Sequence, residues 1–323
     1  MKICKICLKK VMEKAAHSDY HKKCLTQLLS SAAISPILPF SRSVFQSEIS
    51  KNYTKGMSIS GVQKKLSLKL GAEQLELTNT HGAYILKPSV EDFPELAENE
   101  HLSMLIGKAL DIETPPLGLL KFSDGELVYI IKRFDGPHTQ RLHVEDMASI
   151  FNLHRDENYK YSQSYEAVGT KLKKITGGKL TVVLDFFNRL ICNFIIENND
   201  YHLKNISVIA AKLTKEGFYD SLSPNYDSIM TRMYFPGEQE LALDLLKDDN
   251  FSVSHKNTGF YTRPDFEELG AKIGLPPAAT AVIFSKIKER KNELFELVSA
   301  SFLSMEKKKF YLEHLAWKIE KLE

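Results

Sequence analysis

Asn198-Asn199-Asp200-Tyr201-His202-Leu203-Lys204-Asn205 stands between a long apolar run and a shorter extended one. A polar loop that emerges where two packed elements meet is a usual place for chemistry. Within eight residues it offers a carboxylate, an imidazole, an ammonium and three amides. Such a set can hold a hydroxyl nucleophile on Asp200, steady a phosphate with Lys204 and bind a divalent cation through the Asn205 oxygen. It also suits a plain solvated turn, because Asn and Asp are common turn formers. The flanking sequence has to decide between the two.

Upstream, Thr181 to Glu197 places Val182, Val183, Phe186, Phe187, Leu190, Ile191, Phe194 and Ile195 at helical spacing, the pattern of a central buried helix. Cys192 lies in that helix and reads as a small buried hydrophobe. Downstream, Ile206 to Ile209 reads as a short strand. Ser223-Pro224-Asn225-Tyr226-Asp227-Ser228-Ile229 then supplies a second isolated aspartate on a loop, 27 residues after Asp200. Asp200, Asn205 and Asp227 in that order are what magnesium-dependent phosphoryl transfer needs: one group acts on the acceptor hydroxyl and two hold metal on the phosphates.

Earlier in the chain, Lys55 to Lys65 (KGMSISGVQKK) leads into the alternating Leu66-Ser67-Leu68-Lys69-Leu70. Alternation argues a half-buried strand entered through a Gly/Ser loop. Exposed N–H groups in such a loop can cradle an anion, with Lys64 or Lys65 adding charge; an ordinary hairpin loop fits the same residues, and no Walker pattern is present. Tyr84-Ile85-Leu86 delivers Lys87 at the end of an apolar strand that Pro88 stops. A helix is expected from about Glu95 to Leu110, and either Glu98 or Glu100 on it can pair with Lys87; Glu100 is the preferred partner. Leu117 to Phe122 and Leu127 to Phe134 form a hairpin about Ser123-Asp124-Gly125-Glu126. After Lys132-Arg133-Phe134-Asp135 the composition turns helical, so a lobe boundary falls near residue 135.

Length and composition fit this division. The 323 residues are 43% hydrophobic and 26% charged, an ordinary globular balance long enough for two lobes. A net charge of +2 gives no bulk argument for nucleic acid or anionic membrane as the main partner. No apolar run reaches the ~20 residues that span a bilayer, and the start lacks a signal-peptide core, so a cytoplasmic protein with no membrane partner is expected.

Three of the four cysteines fall in the first 24 residues, as Cys4-x2-Cys7 followed after thirteen residues by His21-x2-Cys24. That is the spacing of a small tetrahedral zinc site. Scattered surface residues on a Lys-rich arm are the alternative, and His17 is a rival ligand. Ser30 to Phe40 reads as a Pro-punctuated linker packed on the body. Beyond residue 240, helices are expected over Asp265 to Ile273, Pro276 to Phe302 and Met305 to Leu322. The basic runs Lys286 to Lys291 and Lys307 to Lys309 read as solvated helix faces.

Taken together, Gly56 to Lys65, Lys87, Asp200-x-His202-x-Lys204-Asn205 and Tyr226-Asp227 resemble the HipA-like serine/threonine kinases, the toxins of bacterial toxin–antitoxin systems, from about residue 50 to beyond 230. Ser58-Ile59-Ser60-Gly61, Asp92-Phe93-Pro94 and Ala97 to His101 look closest to the HipT branch. The resemblance implies an α+β, bilobal protein-kinase-like fold with a small strand-rich N-lobe and a larger helical C-lobe. It divides the chain into an N-terminal arm (1–50), an N-lobe (51–135) and a C-lobe (136–323). It implies Asp200 as the catalytic aspartate, with Asn205 and Asp227 holding Mg. Lys87, paired with Glu100, would contact the phosphates of ATP, and Ser60, Gly61, Val62, Gln63, Lys64 and Lys65 would cover them. Lys132, Arg133 and Phe134 would form the adenine hinge, with His202, Lys204 and Tyr226 near the nucleotide, and Ser58 or Ser60 would be the self-phosphorylated serine. The chain departs from HipA proper in having only some 50 residues before the loop, too few for the N-terminal subdomain of HipA. In the HipT branch a separate small antitoxin protein supplies that piece, beside a helix-turn-helix partner that contacts DNA, so DNA would be engaged only indirectly.

The functional readings are therefore three. The first is an ATP-dependent protein kinase whose substrate is a translation component such as an aminoacyl-tRNA synthetase, as the resemblance implies. The second is a nucleotide-binding module that holds antitoxin or repressor partners without turnover. The third is a small-molecule phosphotransferase. The intact set Lys87, Asp200, Asn205 and Asp227 favours the first over the second, and the Ser-rich loop weighs against the third.

Overall fold

The computed structural model describes residues 2–12, 19–50, 65–78, 82–135, 142–153, 158–212, 217–237, 239–248 and 251–323. Helices α1 (Lys22–Leu29) and α2 (Arg42–Ser50) belong to the arm. Strands β1 (Leu66–Leu70), β2 (Leu75–Leu77) and β3 (Tyr84–Pro88) follow, then helix α3 (Leu96–Ala109), then β4 (Leu117–Lys121) and β5 (Leu127–Lys132). The five strands form an antiparallel sheet in the order β2-β1-β3-β5-β4.

Strand alternation tells how this sheet is covered. Successive side chains point to opposite faces, and β5 reads Leu-Val-Tyr-Ile-Ile-Lys with Val128 to Ile131 all buried. Val128 and Ile130 share a core with Leu25, Leu28, Leu38 and Phe45 of the arm. Tyr129 and Ile131 belong to the core of α3 and the helical lobe. The arm thus roofs one face while α3 supports the other. It also closes an edge: β4 has a strand on one side only, and on the other Leu119 N–H donates to Lys5 O at 2.8 Å and Lys121 N–H to Pro36 O at 3.2 Å. Unpaired edge groups of this kind otherwise recruit other chains.

The larger lobe opens with β6 (His143–Asp146) and the short helix α4 (Met147–Ile150), followed by α5 (Tyr165–Ile175) and α6 (Leu180–Ile195). Strands β7 (Ser207–Ala210) and β8 (Ser221–Leu222) pair in a three-stranded antiparallel sheet ordered β6-β7-β8. Helices α7 (Val253–Thr258), α8 (Arg263–Lys272), α9 (Pro277–Ala300) and α10 (Met305–Glu320) complete it. The apolar run ahead of the polar octet is α6, with twelve of its sixteen residues buried, among them Phe186, Phe187, Leu190 and Phe194. Buried throughout residues 186–195, it gives the octet that follows a rigid base. The fold is α+β and bilobal, with a small strand-rich lobe and a larger helical one. No helix among the described residues is long and apolar enough to cross a membrane.

Candidate active site

The site lies where β3, α3 and the loops flanking β7 and β8 converge. Lys87 at the end of β3 is buried, and its Nζ donates to Glu100 Oε1 at 2.6 Å and also to Asp227 Oδ1. Glu98, on the same helix α3, instead accepts from Ser89 Oγ at 3.3 Å. Burial works against the Lys87 ammonium, yet the carboxylates of Asp227 and Glu100 outweigh it and hold its pKa above the ordinary lysine value. Burial likewise works against the Asp227 carboxylate, and the Lys87 charge overcomes it, so Asp227 titrates below the usual carboxylate range. One ammonium between two carboxylates leaves a net negative charge, which favours a cation beside Asp227.

Asp227 adopts the left-handed backbone conformation, with φ 57°. Aspartate tolerates that region better than bulkier residues. The following residues are held from α3: Asn99 Nδ2 donates to Met230 O at 3.1 Å, and Asn99 Oδ1 accepts from Met230 N–H at 3.0 Å.

Asp200 sits in the turn after α6, and its peptide is pinned on both sides. Its N–H donates to Asn198 Oδ1 at 3.2 Å, and its carbonyl accepts from Asn205 Nδ2 at 2.8 Å and from His202 N–H at 2.9 Å. Because Asn205 spends its NH2 on that carbonyl, its amide oxygen is the end that can ligate a hard cation. The Asp200 carboxylate accepts from Tyr161 Oη at 3.1 Å, with Lys160 Nζ 3.8 Å from the same oxygen. Lys160 is shifted below the usual lysine pKa by burial and by repulsion from Lys204, which together outweigh Asp200. His202 Nε2 lies 3.4 Å from Asp200 Oδ1 without the alignment of a hydrogen bond, and the ring meets Tyr161 edge-on. Burial pushes His202 down to about 4 against the pull of Asp200, so it is neutral at physiological pH.

The loop is also clamped from behind. Glu197, buried at the end of α6, takes Arg232 Nε at 3.2 Å, His314 Nδ1, and Lys318 Nζ at 3.9 Å. Two of those three partners come from α10, more than a hundred residues on in sequence.

Other residues singled out in the sequence are placed as follows. Phe134 stacks on Tyr226, with ring centroids 6.1 Å apart, and the Tyr226 hydroxyl is fixed by Ser207 Oγ at 2.7 Å and Lys204 O at 3.1 Å. Lys132 Nζ turns to Ser30 Oγ of the arm at 3.4 Å, and Arg133 pairs with Asp135, so neither cation is brought to Asp227. Lys65 and Lys204 are exposed, and the Lys65 charge contributes to holding Asp227 low. Ser58, Ser60, Gly61, Val62, Gln63 and Lys64 lie outside the described residues, as does His17. Away from the cleft, the ligand atoms of Cys4, Cys7, His21 and Cys24 all lie within 4.8 Å of one another. Sequence reasoning missed Lys160 and Tyr161, whose segment carries no periodic signal, and the Glu197 clamp, whose partners are remote in the chain.

Known proteins resemble this chain in sequence and in fold. A Haemophilus influenzae protein named "Putative kinase" is 33% identical over 323 residues, covering 94% of this chain and 92% of that protein. "Putative kinase Y4dM" of Sinorhizobium fredii is 30% identical over 234 residues, covering 68% of this chain and 54% of its own length. Among solved structures, a chain of the Shewanella oneidensis MR-1 complex of HipA, HipB and operator DNA superposes with a TM-score of 0.63 at 19% identity, over 88% of this chain and 70% of that one. The Helicobacter pylori proinflammatory kinase CtkA does so with a TM-score of 0.54 at 17% identity, over 84% and 91%. At those identities the two structures speak for the fold alone. The family itself is given by sequence: the HipA-like C-terminal domain matches residues 57–294, and the chain belongs to that family.

Proposed function

We propose that this protein is an ATP- and magnesium-dependent serine/threonine protein kinase, the toxin of a HipA-like toxin–antitoxin system and closest to the HipT branch. The observation that carries the reading is the buried Lys87 held between Glu100 and Asp227, with His202, whose Nε2 lies 3.4 Å from Asp200 Oδ1, within electrostatic reach of Asp227. That arrangement presents an ammonium to phosphates, hard oxygens to a cation and a carboxylate to an acceptor hydroxyl.

Each group then has one task. Asp200 receives the acceptor hydroxyl and accepts its proton as the new oxygen–phosphorus bond forms and the bond to ADP breaks. The Tyr161 hydroxyl, 3.1 Å from Asp200 Oδ1, marks a position from which a hydroxyl meets that carboxylate. Lys160 keeps positive charge beside it, and neutral His202 fills the floor without competing for the proton. Lys87 orients the phosphates, while Asn205 and Asp227 would hold the metal. Magnesium, when bound there, supplies neutralisation of charge on the transferring phosphoryl group. Phe134 and Tyr226 offer an apolar wall for the adenine.

The wider assignment follows the family. The substrate proposed is a translation component such as an aminoacyl-tRNA synthetase, in the cytoplasm, with self-phosphorylation on Ser58 or Ser60. The partners proposed are a small antitoxin protein and a helix-turn-helix protein that carries the DNA contact. A HipA complex with HipB and operator DNA, on a related fold, supports this pairing.

The test is a pair of substitutions. Asp200→Asn should keep Mg-ATP binding by calorimetry while phosphoryl transfer drops roughly 10²–10⁴-fold, and Asp227→Asn should weaken Mg-ATP binding itself. Wild-type transfer by Asp200→Asn would overturn the roles, and nucleotide binding without any transfer by the native chain would favour a non-catalytic binding module.

A further inference from the structure

The N-terminal knuckle lies outside the stretch that matches the family, 57–294, and nothing in the phosphoryl-transfer reading uses it. Cys4, Cys7, His21 and Cys24 gather three sulfurs and a nitrogen, with Cys7 Sγ 3.3 Å and Cys24 Sγ 3.8 Å from His21 Nδ1. Ligands tetrahedral about one zinc, at ~2.3 Å for sulfur and ~2.0 Å for nitrogen, stand roughly 3–4 Å apart. The imidazole is also set for the task. His21 Nε2 lies 3.1 Å from Lys10 O, and a carbonyl only accepts, so Nε2 carries the hydrogen and Nδ1 turns its lone pair toward the sulfurs. All four cysteines of the chain are free thiols, so no disulfide competes for these sulfurs. Three soft thiolates and an imidazole select zinc over the hard cations.

The two residues between Cys4 and Cys7 face the kinase-like body. Lys5 O accepts Leu119 N–H of β4 at 2.8 Å, and Ile6 O accepts His101 Nε2–H of α3 at 3.1 Å. His101 is fully buried and follows Glu100 directly. The fit is close: a Cβ on Gly118 of β4 would stand 2.8 Å from Ile6 Cγ1, so a larger residue there would force Ile6 to shift. Tyr20 Oη, next to His21, adds a bond to Leu119 O at 3.1 Å.

We propose that Cys4, Cys7, His21 and Cys24 bind one zinc ion and that the metal-fixed turn braces α3, so that the ion holds the helix that carries Glu100 against Lys87. The metal site stands independently of the kinase reading; only its consequence for nucleotide binding rests on that reading.

The full-length chain, purified without added metal, should contain about one zinc by elemental analysis, and Cys7→Ser and Cys24→Ser should lose it. Cobalt(II) exchanged into the wild-type chain should give the intense visible bands of a tetrahedral thiolate site, a readout that survives if a cysteine variant fails to fold. His101→Phe should retain the zinc, yet its α3 amides should exchange with deuterium roughly tenfold faster, as local opening becomes easier. Chelation of the wild-type zinc should do the same. Absence of zinc together with no tetrahedral cobalt spectrum would overturn the site. Zinc present, with α3 exchange unchanged both on chelation and in His101→Phe, would overturn the bracing. Neither outcome depends on phosphoryl transfer, so each is separable from a failure of the proposed activity.

Discussion

Asn99 holds the backbone of Met230 through both halves of its amide, donating to the carbonyl at 3.1 Å and accepting from the N–H at 3.0 Å across 131 residues of sequence. Asn99 is fully buried, so nothing in solvent can replace either bond. Asn99→Ala should strip both partners at once, and an unsatisfied buried group costs about 1–3 kcal/mol. The denaturation midpoint should fall accordingly. Mg-ATP affinity should fall further than in a surface control, because Asp227 lies three residues before Met230. An Asn99→Ala protein with wild-type stability and nucleotide affinity would show that α3 does not position the Asp227 loop.

Lys87 and Asp227 give a pH signature. The folded pKa of Asp227 is depressed, so its contribution to stability is present above the unfolded value near 4 and is lost as pH falls through the folded value. Lys87 is raised, so its contribution is present below the unfolded lysine value and lost as pH climbs through the folded one. Lys87→Met leaves Glu100 and Asp227 facing each other without a cation. Asp227 should then titrate higher, and the decline in stability from pH 7 toward 5 should be shallower than in the wild type. Urea midpoints across that range decide it; a wild-type-like profile would mean the pair is not coupled to Lys87 in solution.

His202 sets a second window. Its folded pKa of about 4 lies below the unfolded value near 6.5, so between these the unfolded chain binds more protons and stability declines as the pH drops. A tenfold weaker hold on the proton in the folded chain corresponds to about 1.4 kcal/mol. Buried His101 moves the same way for the same reason, so the informative quantity is the difference between wild type and His202→Gln. The variant should show a shallower decline between pH 6.5 and 4, and equal slopes would place His202 in contact with solvent.

Ser58 and Ser60 lie on the loop proposed to cover the phosphates. A phosphoserine there brings about −1.5 to −2 charge into a site built for the anions of ATP. Incubation with Mg-ATP should add phosphate at Ser58, Ser60 or both, and Asp200→Asn should prevent it. Ser58→Asp with Ser60→Asp should lower ATP affinity while the double alanine still binds. A loop that stays unmodified in an active preparation would leave the serines as spacers.

How far the sequence carried the reading depends on how far apart the partners are. Lys87 was visible because a charged residue ends an apolar strand, and the polar octet because it interrupts two packed runs. The order Asp200, Asn205, Asp227 fits in 28 residues. Helix α3 was found within a residue at either end, and the preference for Glu100 over Glu98 accords with its 2.6 Å contact to Lys87. Lys160 and Tyr161 escaped notice because they sit in a three-residue turn whose meaning comes only from Asp200, some 40 positions later. The Glu197 clamp was equally silent: His314 and Lys318 look like ordinary solvated helix residues until α10 is packed. On the basic run of α9, Lys286 and Arg290 form surface ion pairs with half-exposed Asp111, a partner that local sequence does not show. The pairing of β6 with β7 likewise spans some sixty residues and leaves no local pattern.

The covering of β4 has a practical consequence for anyone who would work with a smaller piece. The acceptors for Leu119 and Lys121 are Lys5 and Pro36, and two of the cations on Glu197 are His314 and Lys318; all four lie beyond the span 57–294 that the family match delimits. A fragment trimmed to that span would bare one rim of its sheet and strand a carboxylate in its interior with Arg232 as its remaining cation among those three. The bared rim would template strand addition by the next copy of itself. Such a fragment should precipitate or form oligomers where the full chain does not, and an assay on it would report the trimming rather than the enzyme.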